Sequence, residues 1–185
     1  MTRFTDHFNL FKVYYEKIIL LLLFLISSQF VNAQRKVAAT EQFSISGKIK
    51  RELNFTLTDL NAFETKAIPD VVITNNSGEV KSTAKALKGI LLKSILEKLE
   101  FQIEKPKELN EFYFTFIASD GYKAVFSWNE IFNTETGNNI FLITEKDGKK
   151  ISEMEDRILI MTTTDFKTGR RHIKGLEKII VSRVE

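Results

Sequence analysis

The sequence predicts an α+β fold with a mainly β core, a mixed or barrel-like sheet carrying short helices. Three observations predict it. β-branched and aromatic runs recur with a two-residue period, as in Phe112-Tyr113-Phe114-Thr115-Phe116-Ile117-Ala118. Turn signals separate them, namely Asn75-Asn76-Ser77-Gly78, Ser119-Asp120-Gly121 and Asp147-Gly148. Helical periodicity is sustained over only one stretch, Leu87 to Leu99.

The elements follow in order. Residues 34–42 read as a flexible lead-in and 43–185 as one domain, with no internal repeat and no Pro- or Ser-rich linker. Phe43 to Ile49 alternates apolar with small or polar residues, the pattern of a half-buried strand. Thr58 precedes a short helix, Asp59 to Phe63, as its N-cap. Val71 to Thr74 is a β-branched strand, and Glu79 to Ala84 returns beyond the Asn-Asn-Ser-Gly turn. Leu91, Ile95 and Leu99 recur every four residues beside Leu92 and Leu96, with Lys93, Glu97 and Lys98 on the other face. That spacing predicts a helix over 87–99. In the 112–118 strand, Phe112, Phe114, Phe116 and Ala118 point one way. A tight turn with Gly121 at φ > 0 leads to the return arm Tyr122 to Phe126. Ser127 caps a helix at Trp128 to Phe132. Ile140 to Thr144, Arg157 to Thr163 and Glu177 to Val184 complete the strands.

Composition excludes several classes of function. The chain has 185 residues, 27 Lys+Arg, 24 Asp+Glu and no Cys. Disulfides, Cys-ligated zinc or iron–sulfur sites, covalently attached haem and a cysteine nucleophile are therefore excluded. Arg3, Lys12 and Lys17 precede the apolar run Ile18 to Ile26, and Val31-Asn32-Ala33 offers small residues at the −3 and −1 positions. This reads as a signal peptide over residues 1–33, the apolar run being short for a membrane span, with an uncleaved anchor as the alternative. Export to a bacterial periplasm or the exterior is the expectation, with no stable membrane span after cleavage. Beyond Ala33 there are 24 basic and 22 acidic residues, a balance that points to no nucleic-acid partner.

Only one histidine lies beyond Ala33, His172, so a His₂ or His₃ metal site within one such chain is excluded. No Gly-x-Ser-x-Gly elbow supports a Ser–His–Asp arrangement of His172 with Asp165. The carboxylates Glu153, Glu155 and Asp156 lack EF-hand spacing and read as a solvated loop. The polar segment Thr162 to Lys174 stands out. Hydroxyls, a Gly-containing turn and a cluster of cations suit a phosphate or carboxylate ligand. The candidate binding residues are Thr163, Thr164, Arg170, Arg171, His172 and Lys174. The alternative is a solvated turn whose cations pair with nearby acids. Trp128 and the phenylalanines of 112–116 read as core, with stacking on a flat ligand as the alternative.

Several pieces occur in an order that resembles the oxidoreductase molybdopterin-binding domain, the cofactor domain of the sulfite oxidase family. Ile45-Ser46-Gly47-Lys48-Ile49 is similar to its opening V-x-G-x-V strand, and Leu57-Thr58-Asp59-Leu60 to its L-x-x-L segment. Gly89 to Leu96 (GILLKSIL) resembles its G-V-P-L-x-x-L-L motif, and Ser119-Asp120-Gly121-Tyr122 its S-x-D-G-Y hairpin. Arg157 to Ile160 and Gly169 to Val181 (GRRHIKGLEKIIV) resemble its C-terminal run. The resemblance spans about 43–184 and implies a sulfite-oxidase-like fold. It also implies molybdopterin as cofactor, and Arg170 or Arg171 with Lys174 as phosphate contacts.

Two departures bear on activity. Catalytic members hold molybdenum through a Cys thiolate after the third strand, where this chain reads Val72-Ile73-Thr74-Asn75-Asn76-Ser77-Gly78. The family's proline after the penultimate strand is replaced by Thr162-Thr163-Thr164. The expectation is a non-redox binding module for a pterin-like or other anionic ligand, or for a periplasmic protein partner. The alternative is a periplasmic molybdopterin-dependent oxidoreductase with non-Cys metal ligation.

Overall fold

Long alternating and continuous apolar runs need two kinds of surface to bury them, and the computed structural model supplies both. It describes residues 37–184; the expected signal peptide at 1–33 lies outside the described residues. The first half holds β1 (Gln42–Gly47), β2 (Leu53–Thr56), β3 (Thr65–Ile68), β4 (Val71–Thr74), β5 (Val80–Ala84), β6 (Leu87–Leu91) and helix α1 (Leu92–Leu96). Then come β7 (Phe112–Ala118), β8 (Lys123–Ser127), helix α2 (Trp128–Phe132), β9 (Ile140–Lys146) and β10 (Lys149–Lys150). β11 (Leu159–Thr162), β12 (Ile173–Lys174) and β13 (Leu176–Arg183) finish the chain. This is an α+β fold, rich in sheet with few and short helices.

The strands make two main sheets. The first has the order β2-β1-β13-β7-β8 and is mixed, because β1 and β13 run parallel while the other pairs are antiparallel. The second has the order β12-β11-β9-β6-β3, antiparallel throughout, with β10 paired to β9. β4 and β5 form a separate two-stranded hairpin.

Burial explains the two kinds of strand sequence. β7 alternates because only one of its faces enters the core. Phe112, Phe114, Phe116 and Ala118 are all buried there. Phe116 meets Phe126 of β8 edge to face, with ring centroids 5.0 Å apart. β9 and β11 have unbroken apolar runs because both their faces are covered. Ile140, Leu142 and Ile160 enter the core shared with the first sheet. Phe141, Ile143, Leu159 and Met161 enter a second cluster that includes Val71 and Ala84 of the β4–β5 hairpin. The hairpin thus lies on the far side of the second sheet.

The helix expected over 87–99 is corrected. Its first five residues are β6, paired on one side with β3 and on the other with β9, and only Leu92–Leu96 is helical. Sheet pairing on both edges outweighs a helical spacing that Leu92, Ile95 and Leu96 still use to reach the core. The 59–63 helix is a 3-10 turn, Asp59–Ala62, without a side-chain bond from Thr58. Ser127 does cap α2, its Oγ accepting from Glu130 N at 3.0 Å. Gly121 sits at φ 86°.

β2 and β3 are strands that the sequence pattern does not mark. β2 turns Leu53 and Phe55 inward, and Phe55 stacks on Phe43 across the β1–β2 pair. Of the expected flexible lead-in, residues 37–41 are tied to the domain. Ala38 N donates to Ser119 Oγ and Ser119 Oγ donates to Ala38 O, both at 2.9 Å, and Thr40 bridges to Arg157.

Phe116 is fully buried at the centre of the first sheet. Phe116→Ala is expected to destabilise the domain by about 3–5 kcal/mol, read as a lower urea midpoint at unchanged slope.

Candidate functional site

The segment after β11 is short of apolar residues and is held in place by polar bonds instead. It contains a 3-10 turn, Thr168–Arg171. Thr168 is buried, and its hydroxyl accepts from Thr74 N and donates to Val72 O, both at 2.9 Å. Gly169 N donates to Thr74 Oγ1 at 3.3 Å. A Cβ at Gly169 would lie 2.1 Å from Thr74 O, so only glycine permits this approach. Arg170 Nε donates to Asn76 O at 3.0 Å, and Tyr122 Oη donates to Arg170 O at 2.7 Å. The segment is thereby stitched to β4 and to the turn that follows it.

This stitching opens a cleft of about 610 Å³ between the β4–β5 hairpin and the strand entering β12. The turn residues Asn75, Asn76 and Ser77 line one wall. Gly169, His172 and Lys174 line another, and Lys146 and Asp147 at the end of β9 close it. Lys81, Lys146 and Lys174 face Asp147 as its sole carboxylate. Asp147 Oδ1 is already occupied by Lys85 N at 2.8 Å. Lys174 Nζ lies 3.3 Å from Asp156, and Lys81 Nζ 3.2 Å from Glu79. Both pairs are partly exposed and weak.

His172 is the most perturbed group of this cleft. Its Nε2 is sealed from solvent and has no hydrogen-bond partner among the described residues. Burial pushes its pKa down to about 4, with the charges of Lys174 and Lys146 adding to the effect and Asp156 opposing it. The imidazole is therefore neutral at pH 7.

The segment's cations divide between two tasks. His172 and Lys174 line the cleft, and Arg170 is exposed beside it, on the Asn76 carbonyl. Arg171 belongs elsewhere. Its Nε donates to Asp165 Oδ2 at 2.7 Å, its NH groups bridge Asp165 and Glu130, and its guanidinium lies 4.7 Å from the Phe126 ring centroid. The Asp165 hydrogen bond raises its pKa further, against burial, with Glu130 assisting. It anchors the segment to β8 and α2. Thr163 bonds through both its amide and its hydroxyl to Asn139 O. Thr164 is exposed. Neither threonine lines the cleft. Sequence reasoning missed Thr168, Lys81 and Lys146. The last two are far away in sequence and carry no local signal.

With this geometry in view, known proteins can be compared. No protein-family model matches the sequence, and no curated protein does. The fold does have a solved counterpart. It is similar to the crystal structure of the sulfane dehydrogenase SoxCD from Paracoccus pantotrophus, with a TM-score of 0.57 and 13% sequence identity. The match covers 76% of this chain and 37% of that one, so this chain spans little more than a third of its neighbour's length. The likeness is one of fold.

Molybdenum, which the sequence resemblance implies, does not fit the donors present. The chain has no Cys to supply a thiolate. Asn75, in the turn where that thiolate is expected, spends its Oδ1 on Ser77 N and Glu79 N and its Nδ2 on Glu79 Oε2. Among the described residues no group of three acids or histidines is placed to hold a metal ion. What the cleft's lining offers instead is lysines, hydroxyls and amides.

Two measurements follow. Thr168→Val keeps the shape but strands Thr74 N and Val72 O, and is expected to cost roughly 1–3 kcal/mol in chemical denaturation. The His172 pKa is depressed on folding, so the unfolded chain binds the proton more readily. Its neutral form is free of penalty above about pH 6.5, and stability is lost as the pH falls from there towards about 4. The drop in melting temperature between pH 7 and pH 4.5 is expected to be smaller in His172→Gln than in the wild type.

Proposed function

We propose that this protein is a non-redox binding module. It captures an anionic small molecule, of the kind represented by a phosphate-bearing pterin, in the cleft between the β4–β5 hairpin and residues 169–174. The observation that carries this reading is the convergence of Lys81, Lys146 and Lys174 on one cleft whose single lining carboxylate, Asp147, already accepts from Lys85 N. Cations gathered beside hydroxyls and amides favour an anion with its own hydrogen-bonding groups. The likeness in fold to a dehydrogenase supports the choice of a cofactor-like ligand, and the missing thiolate argues against redox use of it. Asn75, Asn76, Ser77, Ser82 and Thr83 around the cleft suit the polar edges of such a molecule. The leader-like first 33 residues suggest that the module works in the periplasm or outside the cell.

Binding of a phosphorylated pterin, followed by its own fluorescence, tests the reading. The wild type is expected to bind it, and Lys146→Gln with Lys174→Gln together to weaken binding at least about tenfold with the fold intact. Arg171→Gln is expected to lower stability rather than change the contacts to the ligand. Equal affinity in the double lysine variant would remove the cleft as the site. Stoichiometric molybdenum in protein from its native host would overturn the non-redox assignment.

A further inference from the structure

Few large apolar side chains lie in the open, and three of them gather in one place. Among the described residues Phe166 is 103% exposed, Val80 68% and Val72 48%. A wholly exposed phenylalanine forgoes a large gain from burial, and apolar side chains grouped at a surface mark contact with a partner or a membrane. These three share one clasp. Thr168, two residues beyond Phe166, donates to Val72 O and accepts from Thr74 N. Thr74 pairs with Val80 across the hairpin, so Val72 and Val80 lie on one face of it. The exposure of Phe166 is built in. Asp165 before it is held by two bonds from Arg171. Lys167 after it runs along Gly78, its Cε 3.2 Å from where a Cβ would stand. With both flanks fixed, the phenyl ring is held out from the surface.

We propose that this patch docks the protein on an anionic phospholipid surface. The Phe166 ring enters the headgroup layer, and Lys81, Lys167 and Arg170 around it meet lipid phosphates. This docking does not rest on the anion-cleft reading above.

Charge and shape choose this occupant. Lys167 follows Phe166, Lys81 follows Val80, and Arg170 is exposed on the Asn76 carbonyl. Lys167 has no carboxylate partner among the described residues. The nearby acids are engaged, Asp165 by Arg171 and Glu79 by Lys81 and the Asn75 amide. Asp70 is exposed, but it lies at the end of β4 away from the turn. Long basic side chains beside a projecting ring suit a negatively charged interface, where their stems stay apolar and their heads reach phosphate. A stable protein contact needs a packed centre within about 800 Å² on each partner. Three spaced side chains are too few for that centre, whereas a headgroup layer moulds itself around a single ring.

Trp128 is the one tryptophan of the chain, so Trp128→Phe gives a dark background in which Phe166→Trp reports on the tip alone. Full-length protein carrying both changes would be mixed with vesicles of phosphatidylglycerol and phosphatidylcholine in equal parts, the acyl chains of the latter brominated. The expected result is a blue shift of the indole emission and its quenching by bromine. Attachment through the N-terminal apolar run alone would leave this indole in water. Adding Lys167→Gln and Arg170→Gln is expected to raise the lipid concentration for half-quenching by at least about tenfold. Salt at about 0.5 M, or vesicles of phosphatidylcholine alone, is expected to remove the quenching. Circular dichroism is expected to be unchanged in every variant, since all the tip positions changed are on the surface. An indole that stays unquenched on the anionic vesicles would overturn the proposal and leave the patch to an acidic protein partner. Equal quenching on neutral vesicles would overturn the assignment to an anionic surface.

Discussion

At Gly175 the chain leaves one sheet and enters the other. Ile173 and Lys174 pair with β11 in the second sheet, and Leu176 opens β13 in the middle of the first. Gly175 has φ 62°, and a Cβ there would lie 2.5 Å from Ala38 O, so the crossing is open to glycine alone. Its carbonyl accepts from Ser119 N, and Leu176 N donates to Ile158 O, both at 2.8 Å. This crossing fixes the direction from which residues 168–174 approach, and so fixes one wall of the cleft. The N-terminal strap, the β7–β8 turn and the last strand all meet at this point.

Polar bonds then do locally what the apolar core does globally. The two sheets share a core of phenylalanine and branched aliphatic side chains, held by apolar burial. The 163–171 segment contributes little to that core. It is positioned by the Thr168 hydroxyl, the Gly169 amide and the Arg171 bridge to Asp165 and Glu130. Directional bonds hold a loop at a defined distance, where apolar packing would have closed the gap. A cleft survives beside the hairpin for that reason. The segment's cations are accordingly split, with Arg171 spent on architecture and Lys174 left at the cleft.

Fold and chemistry are separable in this protein. A strand arrangement similar to that of a sulfane dehydrogenase is kept at 13% identity, because buried alternation and turn chemistry tolerate wide substitution. A metal centre tolerates far less. A thiolate gives a donor set a charge and softness that no amide supplies. The turn at Asn75 is a self-contained hydrogen-bonded loop, with lysines lining the cleft beside it.

The sequence by itself determined the fold class, the alternating β7 strand and its turn, and the Ser127 cap. These depend on neighbours a few residues apart, where period and turn chemistry are legible. It also excluded thiolate chemistry, since composition needs no coordinates. It misread 87–99, because a four-residue spacing of leucines is equally compatible with a strand and a short helix laid end to end. It was blind to Thr168, whose hydroxyl matters only because β4 runs beside it. It was equally blind to Lys81 and Lys146, which line the same cleft as His172 across gaps of 91 and 26 residues. That Arg170 bonds the turn after β4 while Arg171 bridges Asp165 and Glu130 was decided by tertiary structure alone. Adjacent residues in a 3-10 turn point in different directions, and only the packed elements on each side tell Arg170 from Arg171.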